Sequence, residues 1–134
     1  MSTAQEEPKR PSVLVVDDNH DAADTTRFIL DHMGYPALVA YDATRALLLA
    51  RTHGPQVVLV DLVMPGGNGL ELARELRRLP EMNQTLLICI SGFASAEDRR
   101  LSREAGCDYH LLKPFDWAEL LRLIDDGKSG VKVL

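Results

Sequence analysis

Short apolar runs that end on a polar side chain recur along the chain, and they constrain its fold more than any other feature. Four of them are followed directly by a charged or hydroxyl side chain: "VLVV" by Asp17 and Asp18, "VVLV" by Asp61, "TLLICI" by Ser91, and the shorter "YHLL" by Lys113. The first two runs are apolar at every position instead of at every second one. This pattern is typical of strands in a parallel sheet that helices cover on both faces.

Longer stretches with helical spacing of their apolar residues separate these runs from one another and from a fifth run, "PALVAY". The predicted helices cover residues 21–33, 42–54, 69–80, 95–106 and 116–126. Ser95 and Asp116 are expected to cap the N-termini of the last two helices, and glycines follow the first, second and fourth. Five strands alternating with five helices predict an α/β fold built on a parallel sheet.

Length and composition fit a single folded domain. With 134 residues, of which 46% are hydrophobic and 26% charged, the chain can bury a core of its own. We expect the folded domain over residues 12–126, a disordered polar arm over residues 1–11 and a short tail over residues 127–134. The formal net charge of −5 argues against nucleic-acid binding, and no apolar run approaches the about 20 residues of a membrane span.

The cysteines and histidines show none of the spacings that are typical of a zinc site. Cys89 lies inside an apolar run and is predicted to pack as a small hydrophobic residue, which fits a reducing compartment. The polar opening of the chain lacks the apolar segment of a signal peptide. Together these features predict a cytoplasmic protein.

The polar residues that end the strands are expected to meet at one edge of the sheet, because ligands of open parallel sheets bind outside the carboxyl ends of the strands. Three carboxylates at one place repel each other, and a divalent cation relieves that repulsion. Carboxylate oxygens without histidine or thiolate partners match Mg²⁺. A lysine and a metal ion beside a nucleophilic carboxylate would stabilise the transfer of a phosphoryl group onto that carboxylate.

The motifs "VVDDN", "VLVDLVMPGGNG", "CISG" and "LLKPF" occur in this order, and with them the chain resembles the receiver domain of bacterial two-component response regulators. The resemblance runs from about residue 12 to residue 126. It implies a doubly wound five-stranded parallel sheet in the flavodoxin-like strand order 2-1-3-4-5, with helices on both faces. It also implies a signalling module and not an enzyme.

The same resemblance implies a set of metal ligands and a phosphoacceptor. Asp61 would accept the phosphoryl group from a sensor histidine kinase or a histidine phosphotransfer protein. Asp18 and Asp61 would ligate Mg²⁺ directly, and Asp17 would contact it through a water molecule. The backbone carbonyl of Val63 would complete the ligands that the protein supplies.

The switch residues are implied in the same way. Lys113 would contact the phosphoryl group, and Ser91 would swing to form a hydrogen bond with it. Receivers commonly carry Tyr or Phe three residues before this lysine, whereas this chain has His110, a planar side chain that could move similarly. The bond from Lys113 to Pro114 resembles the cis peptide of the family.

Val63 departs from what fast dephosphorylation requires. It stands two residues after Asp61, where its side chain would face the water that attacks the phosphorylated aspartate. An aliphatic side chain cannot orient that water by hydrogen bonding. We therefore predict that the phosphoryl group is lost slowly.

Two classes of function compete on these residues. The first is a phosphorylation-controlled module that acts on a downstream protein, either as a single-domain regulator, which we favour, or as the receiver of a hybrid kinase. The second is a phosphatase of the haloacid-dehalogenase type, which also forms an aspartyl phosphate beside Mg²⁺. That family needs an aspartate as general acid two residues after its nucleophile, and Val63 occupies this position.

Overall fold

A computed structural model describes residues 10–64, 67–93 and 95–127. Five strands and five helices alternate along the chain, as predicted: β1 Val13–Val16, α1 His20–His32, β2 Ala37–Ala40, α2 Ala43–His53, β3 Val57–Asp61, α3 Gly69–Arg78, β4 Leu86–Ser91, α4 Ala96–Ala105, β5 Tyr109–Leu112 and α5 Trp117–Asp126. Two short elements lie between them. Val63–Met64 pairs with Gly67–Asn68 in an antiparallel arrangement after β3, and a 3-10 turn spans Pro80–Met82 after α3.

The five main strands form one parallel sheet in the order β2-β1-β3-β4-β5. This order confirms the predicted doubly wound sheet. Val16 of β1 is in register with Val60 of β3, and Asp61 is in register with Ile90 of β4. The register places the polar residues that follow these strands at the same edge of the sheet.

The core has two layers, one on each face of the sheet. Alternate residues of β1 point to opposite layers: Val13 and Val15 pack with α1 and α5, whereas Leu14 and Val16 pack with α2, α3 and α4. Every residue of β1 and β3 is therefore buried. This arrangement explains why the sequence of these strands is apolar at consecutive positions.

Side-chain caps set the helix starts close to the predicted ones. Ser95 and Asp98 form a reciprocal capping box on α4, and Asp116 accepts a hydrogen bond from the backbone N–H of Ala118 on α5. Helix α1 begins at His20, one residue before the predicted start, because Asn19 is its N-cap. Such caps satisfy backbone N–H groups that have no partner inside the helix.

The prediction that Cys89 packs as a small hydrophobic residue is correct for its burial, but the argument from it for a reducing compartment is wrong. Cys89 is fully buried, but it forms a disulfide with Cys107, with 6.1 Å between the two Cα atoms. The two residues are 18 positions apart. They meet because β4 and the turn before β5 lie in the same core layer, a contact that cysteine spacing cannot reveal.

The predicted arm and tail lie mostly outside the described residues, and their boundaries remain predictions. Of the arm, only residues 10 and 11 are described, and of the tail only residue 127. Within the described part of the chain, no helix combines the length and the apolar character that crossing a membrane would require.

Candidate functional site

Asp61 is the last residue of β3, and it is buried at the carboxyl edge of the sheet with 7% of its surface exposed. One carboxylate oxygen, Oδ1, accepts a hydrogen bond of 2.9 Å from the backbone N–H of Val63. The other oxygen, Oδ2, lies 2.7 Å from Nζ of Lys113, which follows β5. Both oxygens are thus held by donors, and the carboxylate faces a single ammonium group.

Asp17 reaches the same place from the end of β1. Its Oδ1 accepts a hydrogen bond of 3.0 Å from the backbone N–H of Asn19. Burial is the main cause that raises the pKa of Asp17 above its ordinary value, and the negative charges of Asp61 and Asp18 act in the same direction. The Asn19 hydrogen bond and Lys113 oppose this rise in pKa.

A cavity of about 560 Å³ joins these side chains. Asp17, Asp61 and Lys113 form its polar part. The rest of its wall is mainly apolar and comes from β1, β3, β4, α1, the loop after β5 and the start of α5: Val15, Ala22, Thr26, Leu59, Ile90, Pro114, Phe115 and Trp117. The cavity is therefore an open pocket in which two carboxylates and one ammonium group are brought together.

Asp18, the third predicted carboxylate, is half-buried but does not line this cavity. Within residues 10–64, 67–93 and 95–127, no three histidine, cysteine, aspartate or glutamate side chains converge closely enough to hold a metal ion by themselves. The structure thus brings two of the three predicted carboxylates, Asp17 and Asp61, into one cavity.

The donor set of the cavity fits a hard divalent cation. Mg²⁺ keeps several of its waters and is usually held by one or two carboxylates together with phosphate oxygens. Asp17 and Asp61 supply two carboxylates, and the negative charge of Asp61 adds to the cost of ionising Asp17. A cation between them would remove that cost, so the residues present are suited to Mg²⁺.

Ser91 and His110 lie in a neighbouring pocket that Leu62 and Val63 also line. Oγ of Ser91 donates a hydrogen bond of 2.6 Å to the carbonyl of Phe93, and it lies 2.9 Å from Nε2 of His110. The hydroxyl is thus engaged away from the cavity that contains Asp61. A bond from Ser91 to a phosphoryl group on Asp61 requires the hydroxyl to leave Phe93.

Val63 is half-exposed in this arrangement, with 53% of its surface accessible. Its backbone N–H binds Asp61, and its side chain offers no hydrogen-bonding group. The general acid that a haloacid-dehalogenase phosphatase needs at this position is therefore absent. The peptide bond between Lys113 and Pro114 is cis, as the resemblance implies.

Two close contacts near the site were not predicted from the sequence. Ser102, on the buried side of α4, lies 2.9 Å from Nδ1 of His110 through its Oγ. Gly69 begins α3 directly against the backbone that follows Asp61, where a Cβ atom would come within 2.4 Å of the Cα atom of Leu62. Ser102 could have been noticed as a small hydroxyl residue at an inward-facing position of a predicted helix. Gly69 could have been noticed as a glycine at the start of a predicted helix, where no turn requires it.

Comparison with known proteins gives a consistent result. The family model described as the response regulator receiver domain matches residues 13–125. A protein of Leptolyngbya boryana known as the "Uncharacterized 14.6 kDa protein in sodA1 3'region" is 37% identical over 112 residues, which cover 84% of this chain and 86% of that protein.

Solved structures resemble the chain over most of its length. The receiver domain of the Francisella response regulator 1452 is 30% identical with a TM-score of 0.79, and the match covers 90% of this chain and 98% of that one. The receiver domain of the sensor histidine kinase PA1611 from Pseudomonas aeruginosa PAO1, solved with a magnesium ion in its active site cleft, is 26% identical with a TM-score of 0.80. That match covers 90% of this chain and 99% of the other.

Proposed function

We propose that this chain, which belongs to the response regulator receiver family, accepts a phosphoryl group on Asp61 from a phosphohistidine-bearing protein of a two-component system. The observation that carries the proposal is the contact of 2.7 Å between Nζ of Lys113 and Oδ2 of Asp61 in the wall of an open cavity. The nucleophile and the group that can neutralise an incoming phosphoryl oxygen are thus already side by side.

The transfer requires only a nucleophile and positive charge from the protein. An oxygen of the Asp61 carboxylate attacks phosphorus, the bond from phosphorus to the donor nitrogen breaks, and the donor imidazole leaves with the bonding electron pair. Charge accumulates on the equatorial phosphoryl oxygens, and Lys113 can turn from the carboxylate towards one of them. Burial of Asp61 strengthens this interaction because water screens it poorly there.

Following the family resemblance, Mg²⁺ would be held by Asp18 and Asp61, by Asp17 through water and by the carbonyl of Val63. Asp18 does not line the cavity, so its side chain would have to turn towards the ion. The ion would supply positive charge to the carboxylates and the phosphoryl oxygens. The protein residues orient this site from three strands. Asn19 fixes one oxygen of Asp17, and the N–H of Val63 fixes one oxygen of Asp61. Each carboxylate thus keeps its other oxygen available for the ion or for Lys113.

The phosphoryl group is read out by Ser91 in this proposal. Its hydroxyl leaves the Phe93 carbonyl and donates to a phosphoryl oxygen on Asp61. Because Ser91 also contacts His110, the change reaches β5 and α4. Phosphorylation then shifts the population of two arrangements of this surface, which a downstream protein distinguishes.

Intact-mass measurement after incubation with acetyl phosphate tests the assignment of Asp61. We expect the wild type to gain the mass of one phosphate only when Mg²⁺ is present, and the Asp61→Asn variant to gain none. Asp42→Asn is the matched control, because Asp42 follows β2 at the same edge and asparagine can still cap α2. A wild type that stays unmodified, or an Asp61→Asn variant that is modified equally, would contradict the proposal.

A further inference from the structure

His110 is buried between two hydroxyl groups, and every polar atom of this group of residues can be assigned as donor or acceptor. Its Nε2 lies 2.9 Å from Oγ of Ser91, and its Nδ1 lies 2.9 Å from Oγ of Ser102. Ser102 is fully buried, and His110 and Ser91 are 8% and 3% exposed. Ser102 lies on α4, His110 on β5 and Ser91 on β4, so the two contacts of His110 connect the edge of the sheet to a helix.

The hydrogen on Ser91 determines the rest of the network. A carbonyl oxygen can only accept, so the contact of 2.6 Å between Oγ of Ser91 and the carbonyl of Phe93 uses the only hydrogen of this hydroxyl. Oγ of Ser91 must then accept from His110, which places a hydrogen on Nε2. The backbone N–H of Phe93 also donates to this oxygen, at 3.2 Å.

The second ring nitrogen follows from the first. A neutral imidazole carries one hydrogen, so Nδ1 is bare and accepts from the hydroxyl of Ser102. Ser102 therefore favours the same tautomer that Ser91 requires. With Ser102 replaced by a residue that cannot donate, the buried Nδ1 would lack a hydrogen-bond donor, and ring rotation or the other tautomer would gain population.

We infer that Ser102 is a positioning residue of the phosphorylation switch, which holds His110 in the Nε2–H tautomer and through it keeps the Ser91 hydroxyl on Phe93 until Asp61 is phosphorylated. The inference rests on the proposed function in so far as Ser91 reads the phosphoryl group. The tautomer itself does not depend on phosphorylation. In this arrangement, hydrogen bonds through His110 couple α4, which carries Ser102, to the phosphorylation site. The Tyr or Phe that receivers commonly carry at the position of His110 could not form both of these hydrogen bonds.

The protonation of His110 is read directly from the ring nitrogen resonances of a ¹⁵N-histidine-labelled sample without any phosphoryl analogue. We expect the wild type to carry its hydrogen on Nε2, with Nδ1 bare. In Ser102→Ala we expect a mixture of tautomers, and in Ser102→Thr, which keeps the hydroxyl, the wild-type pattern. Nδ1 protonated in the neutral wild-type ring would overturn the inference whatever the variants do.

The consequence for the switch is measured on the same samples with Mg²⁺ and beryllofluoride, a mimic of the phosphoryl group. Loss of the Ser102 hydroxyl weakens only the resting arrangement, so Ser102→Ala should bind beryllofluoride about tenfold more tightly than the wild type. Ser95→Ala is the control, because it removes the N-terminal cap of the same helix without touching His110. It should keep the wild-type tautomer and affinity.

Two outcomes of the variant series would contradict the role of Ser102. One is a Ser102→Ala protein with unchanged tautomer and unchanged affinity. The other is a Ser95→Ala protein that changes as much as Ser102→Ala, which would show a general loosening of α4. Failure of the wild type to bind beryllofluoride would instead refute the function proposed for Asp61, and the tautomer pattern would then decide the role of Ser102 alone.

Discussion

A side chain at position 69 would collide with the backbone of Asp61 and Leu62. A Cβ atom there would lie 2.4 Å from the Cα atom of Leu62 and 2.8 Å from the carbonyl oxygen of Asp61. Since this obstacle is backbone and not a flexible side chain, the start of α3 would have to move. Gly69 thus lets the helix pack directly against the loop that positions Asp61.

We expect Gly69→Ala to lower the free energy of unfolding by about 1–3 kcal/mol, which is typical of overpacking at a rigid site. Urea unfolding followed by the fluorescence of the single tryptophan, Trp117, measures the change. Gly92→Ala is the matched control, because a Cβ atom at that position meets nothing within 4 Å. Equal stabilities of the two variants would show that the close approach is easily relaxed.

At the same scale, we predict that Val63 governs how long a phosphoryl group stays on Asp61. Its aliphatic side chain is half-exposed and offers no group that could orient a water molecule for attack. We expect the phosphorylated wild type to decay slowly and Val63→Asn to decay about tenfold faster or more, since a positioned side chain that orients water contributes up to about 10²- to 10⁴-fold.

The decay is followed by mass after removal of the phosphoryl donor. Val63→Leu serves as the control, because it keeps an aliphatic side chain and should keep the slow rate. Loss of the wild-type phosphoryl group within seconds would contradict the prediction, as would equal rates for Val63→Asn and Val63→Leu.

At the scale of secondary structure elements, β4 and the turn that leads into β5 are joined covalently by the Cys89–Cys107 disulfide. Cys89 is in register with His110 on the neighbouring strand. The disulfide therefore constrains the strands that carry Ser91 and His110. It also closes a loop of the unfolded chain, which lowers the entropy of the unfolded state.

Reduction of this disulfide should lower the free energy of unfolding by about 3 kcal/mol, as expected for a closed loop of this length. Urea unfolding with and without a reductant measures the loss, and thiol titration under denaturing conditions reports the redox state. The double variant Cys89→Ala/Cys107→Ala is the control and should be insensitive to the reductant. A wild type whose stability does not respond to the reductant would contradict the prediction.

At the scale of the whole molecule, the buried imidazole of His110 makes stability depend on pH. Burial is the main cause that lowers the pKa of His110 below its ordinary value of 6.5, and Arg99 adds to the shift. The Phe93 carbonyl and Asp98 act in the opposite direction. The folded protein therefore prefers the neutral ring, whereas the unfolded chain takes up a proton at higher pH.

Because the unfolded state binds more protons below pH 6.5, the free energy of unfolding should fall as the pH decreases from about 7 towards 5, by up to about 1.4 kcal/mol per pH unit from this group. Chemical denaturation across this range, compared between the wild type and His110→Phe, isolates the contribution. The variant should show a flatter profile. Identical slopes would mean that His110 takes up its proton equally in the folded and unfolded states.

Much of the fold was predictable from the sequence because it depends on local properties of the chain. Consecutive apolar residues in β1 and β3 require burial on both faces of a sheet, and this requirement holds wherever the strands lie. Helical spacing and caps such as Ser95 act within a few residues. The resemblance supplied the strand order, and the order of the strands then places Asp17, Asp61 and Lys113 at one edge.

Other contacts join residues far apart in the sequence and depend on tertiary packing. Arg77 of α3 binds Asp108 at 2.9 Å, Cys89 pairs with Cys107, and Ser102 reaches His110. None of these pairs follows from a local pattern, because each depends on how far a helix is rotated and shifted against the sheet.

The chain alone therefore determined which residues are buried and which polar groups end the strands. Only the folded structure decided which hydroxyl faces which ring nitrogen, because hydrogen bonds require positions within a few tenths of an ångström, and packing between elements sets those positions.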